Sequence, residues 1–326
     1  MIDVVLASIL TIVSIYLLVK GADYLVRGAV DTARLLRVSP ILVGLTIVAF
    51  GTGVPEFVVS IIAAIQQRGD IAIGNIIGSN ITNIGLIIAA VAAIKKLRVR
   101  SKTLIYEFPF LLVSTFLFLL LAHDFYIYGE NTTSFQYVDG IVLLVTFSFF
   151  LWYIYKSIKQ EQKLVRKEFT EALQHKNPIW KNALLIIGGI IVLYLGGELF
   201  MKYATELAAI FSLSDSFIGL TIAAIGTSLP ELFTSIIAIR QNHPDLAVGN
   251  IVGSNIFNIL FTVGIISLIR PLVIKPSLIV VDGVVMLFFT LLFLVFSTRD
   301  KTIQRGEGLV LGLCYLLYLV YLFWRM

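Results

Sequence analysis

Glu56 and Glu231 are the residues of this chain best suited to chemistry, because each stands alone in an otherwise apolar segment. A carboxylate is costly in such a place, which marks it as part of a functional site. Each keeps the same company. Thr52 lies four residues before Glu56, and Ala49 three residues before Thr52. Thr227 and Ala224 stand in the same relation to Glu231, with Ser228 following Thr227. Helical residues four apart share a face. Pro55 and Pro230 lack an amide hydrogen and free carbonyls one turn back, near positions 51 and 226. Carboxylate, hydroxyl and free carbonyl are all oxygen ligands, the kind that hard cations such as Na+ and Ca2+ prefer.

A second polar run follows each glutamate, GNIIGSNITNI from Gly74 and GNIVGSNIFNI from Gly249. Ser79 and Asn83 are four apart, as are Ser254 and Asn258, so each pair points one way. Asn75 and Asn250 sit one turn earlier. Asn80 and Asn255 lie to one side, suited to hydrogen bonds between helices. Gly74, Gly78, Gly249 and Gly253 permit close helix approach. Packing the two copies together would bring Glu56 and Glu231 face to face. Two bare carboxylates in a low dielectric repel, so the pair needs a proton or a cation. One Ca2+, Na+ ions in separate subsites, or protons would each serve. One site able to take alternate ligands is a physical basis for exchange, with protons as expected competitors. The plainer roles are pairing of the acid with a base, for which no Lys or Arg lies at matching depth, and hydroxyls bonded back to their own helix.

These residues belong to one stretch present twice, at 44–84 and 219–259. The copies align without a gap at an offset of 175, with 25 of 41 positions identical. The whole chain has 326 residues, 58% hydrophobic and 14% charged, with a mean hydropathy of +0.95. A soluble domain carries about 25% charged residues. Apolar runs long enough to cross a bilayer recur along the length, and the short alternating segments of a β-barrel are absent. The chain is therefore expected to be an all-α polytopic membrane protein.

Ten transmembrane helices are expected, near 4–24, 40–66, 71–93, 104–122, 138–155, 183–209, 217–239, 246–269, 277–296 and 309–323. The first apolar run lacks a basic leader and is expected to stay as a helix. The division is a first five-helix repeat at 1–157, a short loop at 158–180 whose charges have helical spacing, and a second repeat at 181–326. Five spans per repeat make the second copy enter from the opposite side, which gives two inverted repeats. The breaks at Pro55 and Pro230, and the Gly/Asn/Ser-rich runs of the third and eighth spans, are expected to interrupt the backbone where it lines a site.

Basic residues sort by connection. The odd-numbered ones carry Arg27, Arg34, Arg37, Lys95, Lys96, Arg98, Arg240, Arg299, Lys301, Arg305 and a lysine-rich central run. The even ones and the ends carry chiefly Arg68, Lys202, Arg270, Lys275 and Arg325. The positive-inside rule puts the odd connections in the cytoplasm and both termini outside, in the cell (inner) membrane. The net charge of +5 thus reports topology, with no nucleic acid implied. The single cysteine, Cys314, excludes an internal disulfide. His123, His175 and His243 fall in or near loops. Asp23 and Glu198 occupy equivalent places and carry no assigned role.

The stretches GTGVPE with GNIIGSNITNI and GTSLPE with GNIVGSNIFNI resemble the alpha-1 and alpha-2 repeats of the sodium/calcium exchanger family, within the cation/calcium antiporter superfamily. The short central loop is similar to that of minimal prokaryotic members. The resemblance implies a transporter, not an enzyme, that exchanges Na+ for Ca2+ by alternating access and needs no cofactor. It implies that Glu56 and Glu231 ligate the ions, supported by Thr52, Thr227, Ser79 and Ser254 and by the carbonyls of Ala49 and Ala224. Ser228 matches a hydroxyl of the second motif, whose counterpart here is Gly53, so one hydroxyl of many members is missing. Asn83 and Asn258 match the polar position after GSN. Potassium-dependent relatives carry Asp at the second of these, so Asn258 speaks against potassium coupling. In the family the first and sixth spans slide against the rest, a role for which Gly21 and Gly196 suit them. Proton-coupled exchange of Ca2+ or another divalent cation is the alternative, with a passive cation channel behind it. No intramembrane protease or hydrolase motif is present.

Overall fold

The computed structural model describes residues 2–99, 105–122, 133–168, 178–210 and 224–325. Helices lie at all ten expected positions. The first half holds α1 (Ile2–Leu36), α2 (Pro40–Thr52), α3 (Val54–Ile65), α4 (Gly69–Ile94), α5 (Glu107–Leu121) and α6 (Tyr137–Glu168). The second holds α7 (Ile179–Ile210), α8 (Ala224–Thr227), α9 (Leu229–Arg240), α10 (Pro244–Ile269), α11 (Leu278–Arg299) and α12 (Arg305–Arg325). Seven of these are long and apolar enough to cross a membrane, and the bent pair α2–α3 makes an eighth. The 15-residue α5 is shorter. The start of the seventh span, with residues 219–223 of the repeated stretch, lies outside the described residues, as do His123, His175 and the end of the central loop.

The centre is built from α4 and α10, which are 72% and 83% buried along their most apolar windows, against 28% for α1, α6 and α7 and 17% for α12. The outer helices turn large apolar side chains such as Ile12, Phe149, Leu184 and Leu317 outward, as a lipid-facing ring requires. The two long helices α1 and α7 pack on each other: a Cβ at Gly21 would stand 2.7 Å from the Leu193 amide nitrogen, and one at Gly196 3.0 Å from that of Leu18.

Proline and glycine break the chain where expected in one pair of spans. The axis turns by 47° between α2 and α3 at Gly53, just before Pro55, and Ser228 interrupts α8 and α9 just before Pro230. The other pair differs from expectation. α4 and α10 are continuous, and the Gly/Asn/Ser runs do not open them. With no proline inside these runs every residue keeps its amide hydrogen, and each helix stays whole through a π-helical turn, at Asn83–Ile87 and at Phe257–Thr262. The central connection also differs, since α6 runs as helix to Glu168 rather than ending near 155. Its 32 residues extend about 48 Å, more than a bilayer core takes up. The charged last turns are held by Glu161, which accepts from the Ser39 amide at 2.7 Å and the Ser39 hydroxyl at 3.1 Å.

Contacts between connections test the ten-span count. Strand β1 (Leu97–Arg98), in the third connection, pairs antiparallel with β4 (Thr302–Ile303), in the ninth. Strand β2 (Ser134–Phe135), in the fourth, pairs with β3 (Leu272–Val273), in the eighth. Lys95 of the third connection bonds Asn242 of the seventh at 2.7 Å. Asp70, at the second, pairs with Lys275, at the eighth. Odd meets odd and even meets even, as ten alternating crossings demand. One uncounted span would put these partners on opposite sides. Leu97 and Leu272 are 175 apart, so the pseudo-twofold exchanges the two ribbons. It also relates Gln67 and Asn242, which turn the chain between α3 and α4 and between α9 and α10 with φ of 62° and 63°.

Candidate cation site

The break at Gly53 and Pro55 ends α2 at Thr52 and starts α3 so that Glu56 lies in its first turn. The break at Ser228 and Pro230 puts Glu231 in the first turn of α9. Both carboxylates therefore sit at helix N-termini, where the backbone dipole favours negative charge. Both side chains are completely buried, and their charges act on each other. Among the described residues neither has a basic partner. Ser228, from the opposite half, donates its hydroxyl to Glu56 Oε1 at 3.3 Å. Among the described residues the Glu231 oxygens accept no hydrogen bond of good geometry, though the Thr52 and Ser254 hydroxyls lie close to that carboxylate. Helix dipoles offset only part of the cost of two buried charges, so this pair calls for a counter-charge.

The polar residues around the pair are paired on one side and unpaired on the other. Thr52 donates to Asn250 Oδ1 at 3.1 Å and lies 3.5 Å from the Ser254 hydroxyl. Ser254 donates to the Ala49 carbonyl at 3.4 Å. The pseudo-twofold equivalents, an offset of 175 away, are Thr227, Asn75, Ser79 and Ala224. The Thr227 and Ser79 hydroxyls have no hydrogen-bond partner among the described residues. Asn75 instead donates to the Glu56 carbonyl at 3.2 Å and to Ser60 at 3.0 Å, the latter matched by Asn250 donating to Ser235 at 3.2 Å. The paired side is the tighter one. There α2 meets α10 backbone to backbone, and a Cβ at Gly44 would stand 2.7 Å from the Leu246 carbonyl oxygen.

A cavity of about 570 Å³ lies on the unpaired side. It runs from Asp70, at the face carrying the even connections, past Asn75 and Gly78 to Thr227. A pocket of about 250 Å³ at the other face, around Glu107 and Tyr153, reaches none of these residues. Among the described residues, the larger cavity thus joins Thr227 to the even face.

The structure buries most of the residues expected from sequence. Glu56, Glu231, Thr52, Ser79, Asn83, Ser228, Ser254 and Asn258 are all buried, and Thr227 partly so. Oxygens left without a hydrogen bond are Glu56 Oε2, both of Glu231, Ser79 Oγ, Thr227 Oγ1, and Oδ1 of Asn83 and of Asn258. Asn83 is divided: its Oδ1 is open, while its Nδ2 donates to Asn255 Oδ1 at 2.8 Å and ties the two central helices. Ala224 is described by its backbone only. Asp23 accepts from Arg27 and from Gln241 at the odd face, and Glu198 is exposed, so neither joins the site. No group of three or more His, Cys, Asp or Glu occurs among the described residues. Two carboxylates ringed by hydroxyl and amide oxygens suit a hard cation rather than a thiophilic or imidazole-bound metal.

Sequence reasoning undervalued Asn250, and it passed over Glu107 and Asp282, two acids buried at the ends of spans. Tyr153 donates to Glu107 at 2.8 Å and Tyr318 to Asp282 at 3.1 Å. The repeat offset joins this pair too, 107 to 282, and would have drawn attention to it.

Comparison with known proteins covers nearly the whole chain. The family described as "Sodium/calcium exchanger protein" matches residues 6–156 and 181–324. The putative antiporter CaxA of Alkalimonas amylolytica is 40% identical over 97% of this chain and 98% of its own. The inner membrane protein YrbG of Escherichia coli (strain K12) is 35% identical over 98% of this chain and 97% of its own. A solved structure of the sodium-calcium exchanger NCX_Mj, soaked with 10 mM Na+ and zero Ca2+, superposes with a TM-score of 0.81 at 30% identity. It covers 97% of this chain and 99% of that one.

Proposed function

The chain belongs to the sodium/calcium exchanger family of membrane antiporters, and from that premise we propose that it exchanges Na+ for Ca2+ at the Glu56–Glu231 site. The observation that carries the reading is the pair of fully buried carboxylates with neither a basic partner nor a full set of hydrogen bonds among the described residues, and the hydroxyl and amide oxygens of Ser79, Thr227, Asn83 and Asn258 left unpaired there. One Ca2+ would neutralise both charges at once. Na+ ions would do so singly, each drawing on hydroxyl and carbonyl oxygens nearby. Because either cargo cancels the same charge, both cannot be held fully at the same time, and binding of one favours release of the other.

Glu56 and Glu231 supply charge. Thr52, Thr227, Ser79 and Ser254 supply hydroxyl ligands, and Ala49 and Ala224 carbonyls. Asn83 and Asn258 offer amide oxygens, and Ser228 steadies Glu56. Alternating access takes its support from the broken symmetry. The two halves hold nearly the same residues in two arrangements, one closed and one open to a cavity. Exchanging the arrangements would close the even face and open the odd one. The inner membrane is the expected location, by likeness to YrbG, with odd connections in the cytoplasm and both termini outside.

The test is 45Ca2+ uptake into proteoliposomes with Na+, K+ and H+ gradients imposed one at a time. Uptake that follows the outward Na+ gradient and is lost in Glu56→Gln and Glu231→Gln supports the reading. Near wild-type transport in either variant rejects the site. One observation favours proton coupling as a second reading. Gly53 offers Glu231 no counterpart of the Ser228 bond to Glu56, so that carboxylate lacks one hydroxyl that its equivalent has. Uptake driven by a pH gradient without Na+ would select it. Leak without any counter-ion dependence would indicate a channel.

A further inference from the structure

Asp282 sits in the wall of the cavity that reaches the site from the even face. Its side chain is 4% exposed, yet it is not among the acids of the cation site. Arg325 binds it through Nη1 at 3.1 and 3.0 Å, and Tyr318 donates to it at 3.1 Å. The other acid lining the cavity, Asp70, lies 3.6 Å from the Lys275 ammonium. Among the described residues, the acids lining a passage toward a site of negative charge are therefore each matched by a base. Arg325 is 29% exposed and comes from the last described turn of α12, so its charge lies between Asp282 and solvent.

We propose that the Asp282–Arg325 pair sets the electrostatic potential of the cation route from the even face, with Asp282 attracting cations and Arg325 limiting how many gather there. This rests on the exchange reading above. Arg325 acts as a fixed counter-charge that keeps Asp282 from trapping a divalent ion short of the deeper site. The pair thereby sets how strongly the route favours Ca2+ over Na+, because an ion of charge two feels twice the energy from the same potential.

That doubling is the signature to test. In proteoliposomes of defined orientation at constant ionic strength, Arg325→Gln should lower the KM for Na+ supplied at the even face by about three- to tenfold, the size expected of one partly screened charge roughly 10 Å away. The KM for Ca2+ should fall by about the square of that factor. Asp282→Asn should raise both in the same squared relation, and Asp282→Asn with Arg325→Gln should return both toward wild type. Values measured for ions at the odd face should not move. The single variants have opposite predicted signs, so either one that folds carries the test. Wild-type exchange with KM unchanged in both single variants, or changed by equal factors for Na+ and Ca2+, overturns the inference and leaves the exchange reading standing. Absence of exchange in the wild-type protein overturns both.

Discussion

Thr52 of the first half donates its hydroxyl to Asn250 of the second across 3.1 Å, while their pseudo-twofold equivalents, Thr227 and Asn75, make no such bond. One hydroxyl is spent on holding the halves together, and its counterpart is open toward the cavity. The two threonines should therefore fail differently. Thr52→Ala removes a buried hydrogen bond and should cost about 1–2 kcal/mol of stability, read as a lower melting temperature without ions. Thr227→Ala should leave that temperature nearly unchanged but shrink the stabilisation produced by added Ca2+. Equal losses without ions would contradict the asymmetry.

Glu56 and Glu231 place two charges in a buried site, so the unliganded protein carries a strain that its cargo relieves. Glu231→Gln should raise the melting temperature in the absence of Na+ and Ca2+ while removing the upward shift that Ca2+ gives the wild type. A variant less stable without ions and still stabilised by Ca2+ would place the cation elsewhere.

Protons should compete with the cargo. As pH falls, protonation of either carboxylate removes half the charge that holds Ca2+. The apparent KM for Ca2+ should therefore climb while the maximal rate at saturating Ca2+ stays level. A fall in maximal rate at unchanged KM would point to titration outside the site.

Gly44 and Gly249 mark where the halves touch along their backbones. A Cβ at Gly44 would stand 2.7 Å from the Leu246 carbonyl oxygen, and one at Gly249 2.5 Å from that of Ile41. Backbone cannot step aside as a side chain can. Either alanine variant should cost about 1–3 kcal/mol, measured by thermal unfolding in detergent. The double variant should be less than additive, since the first substitution already separates the helices.

The pairing of connections predicts sidedness. In a Cys314→Ser background, single cysteines replacing Lys96 and Val273, both exposed, should label from opposite faces, Lys96→Cys from the cytoplasm. Labelling of both from one face would break the ten-crossing count.

Much of this was legible in the residues themselves. The 175-residue offset paired Glu56 with Glu231 and their hydroxyls with each other, because each copy repeats the same spacing on the same helical face. The proline positions foretold the breaks at Gly53 and Ser228, since a missing amide hydrogen is a local fact. The Gly/Asn/Ser runs misled, because glycine and asparagine permit an irregular helix without enforcing a break. The chain kept its hydrogen bonds there by widening at Asn83 and Phe257. Helix α6 outran its apolar stretch because hydropathy measures fit to lipid, whereas the helical spacing of charges carries it on into water.

The amino-acid sequence by itself determined the membrane class and the inverted halves, and it singled out two buried acids with their hydroxyls, since these follow from hydropathy, repeat and helical period. Only the tertiary structure decided which half is closed. Thr52 and Thr227 stand in almost identical local sequences, so no propensity distinguishes them. The bond to Asn250, and the cavity beside Thr227, exist because α2 packs on α10 in one of the two arrangements that the repeated sequence permits.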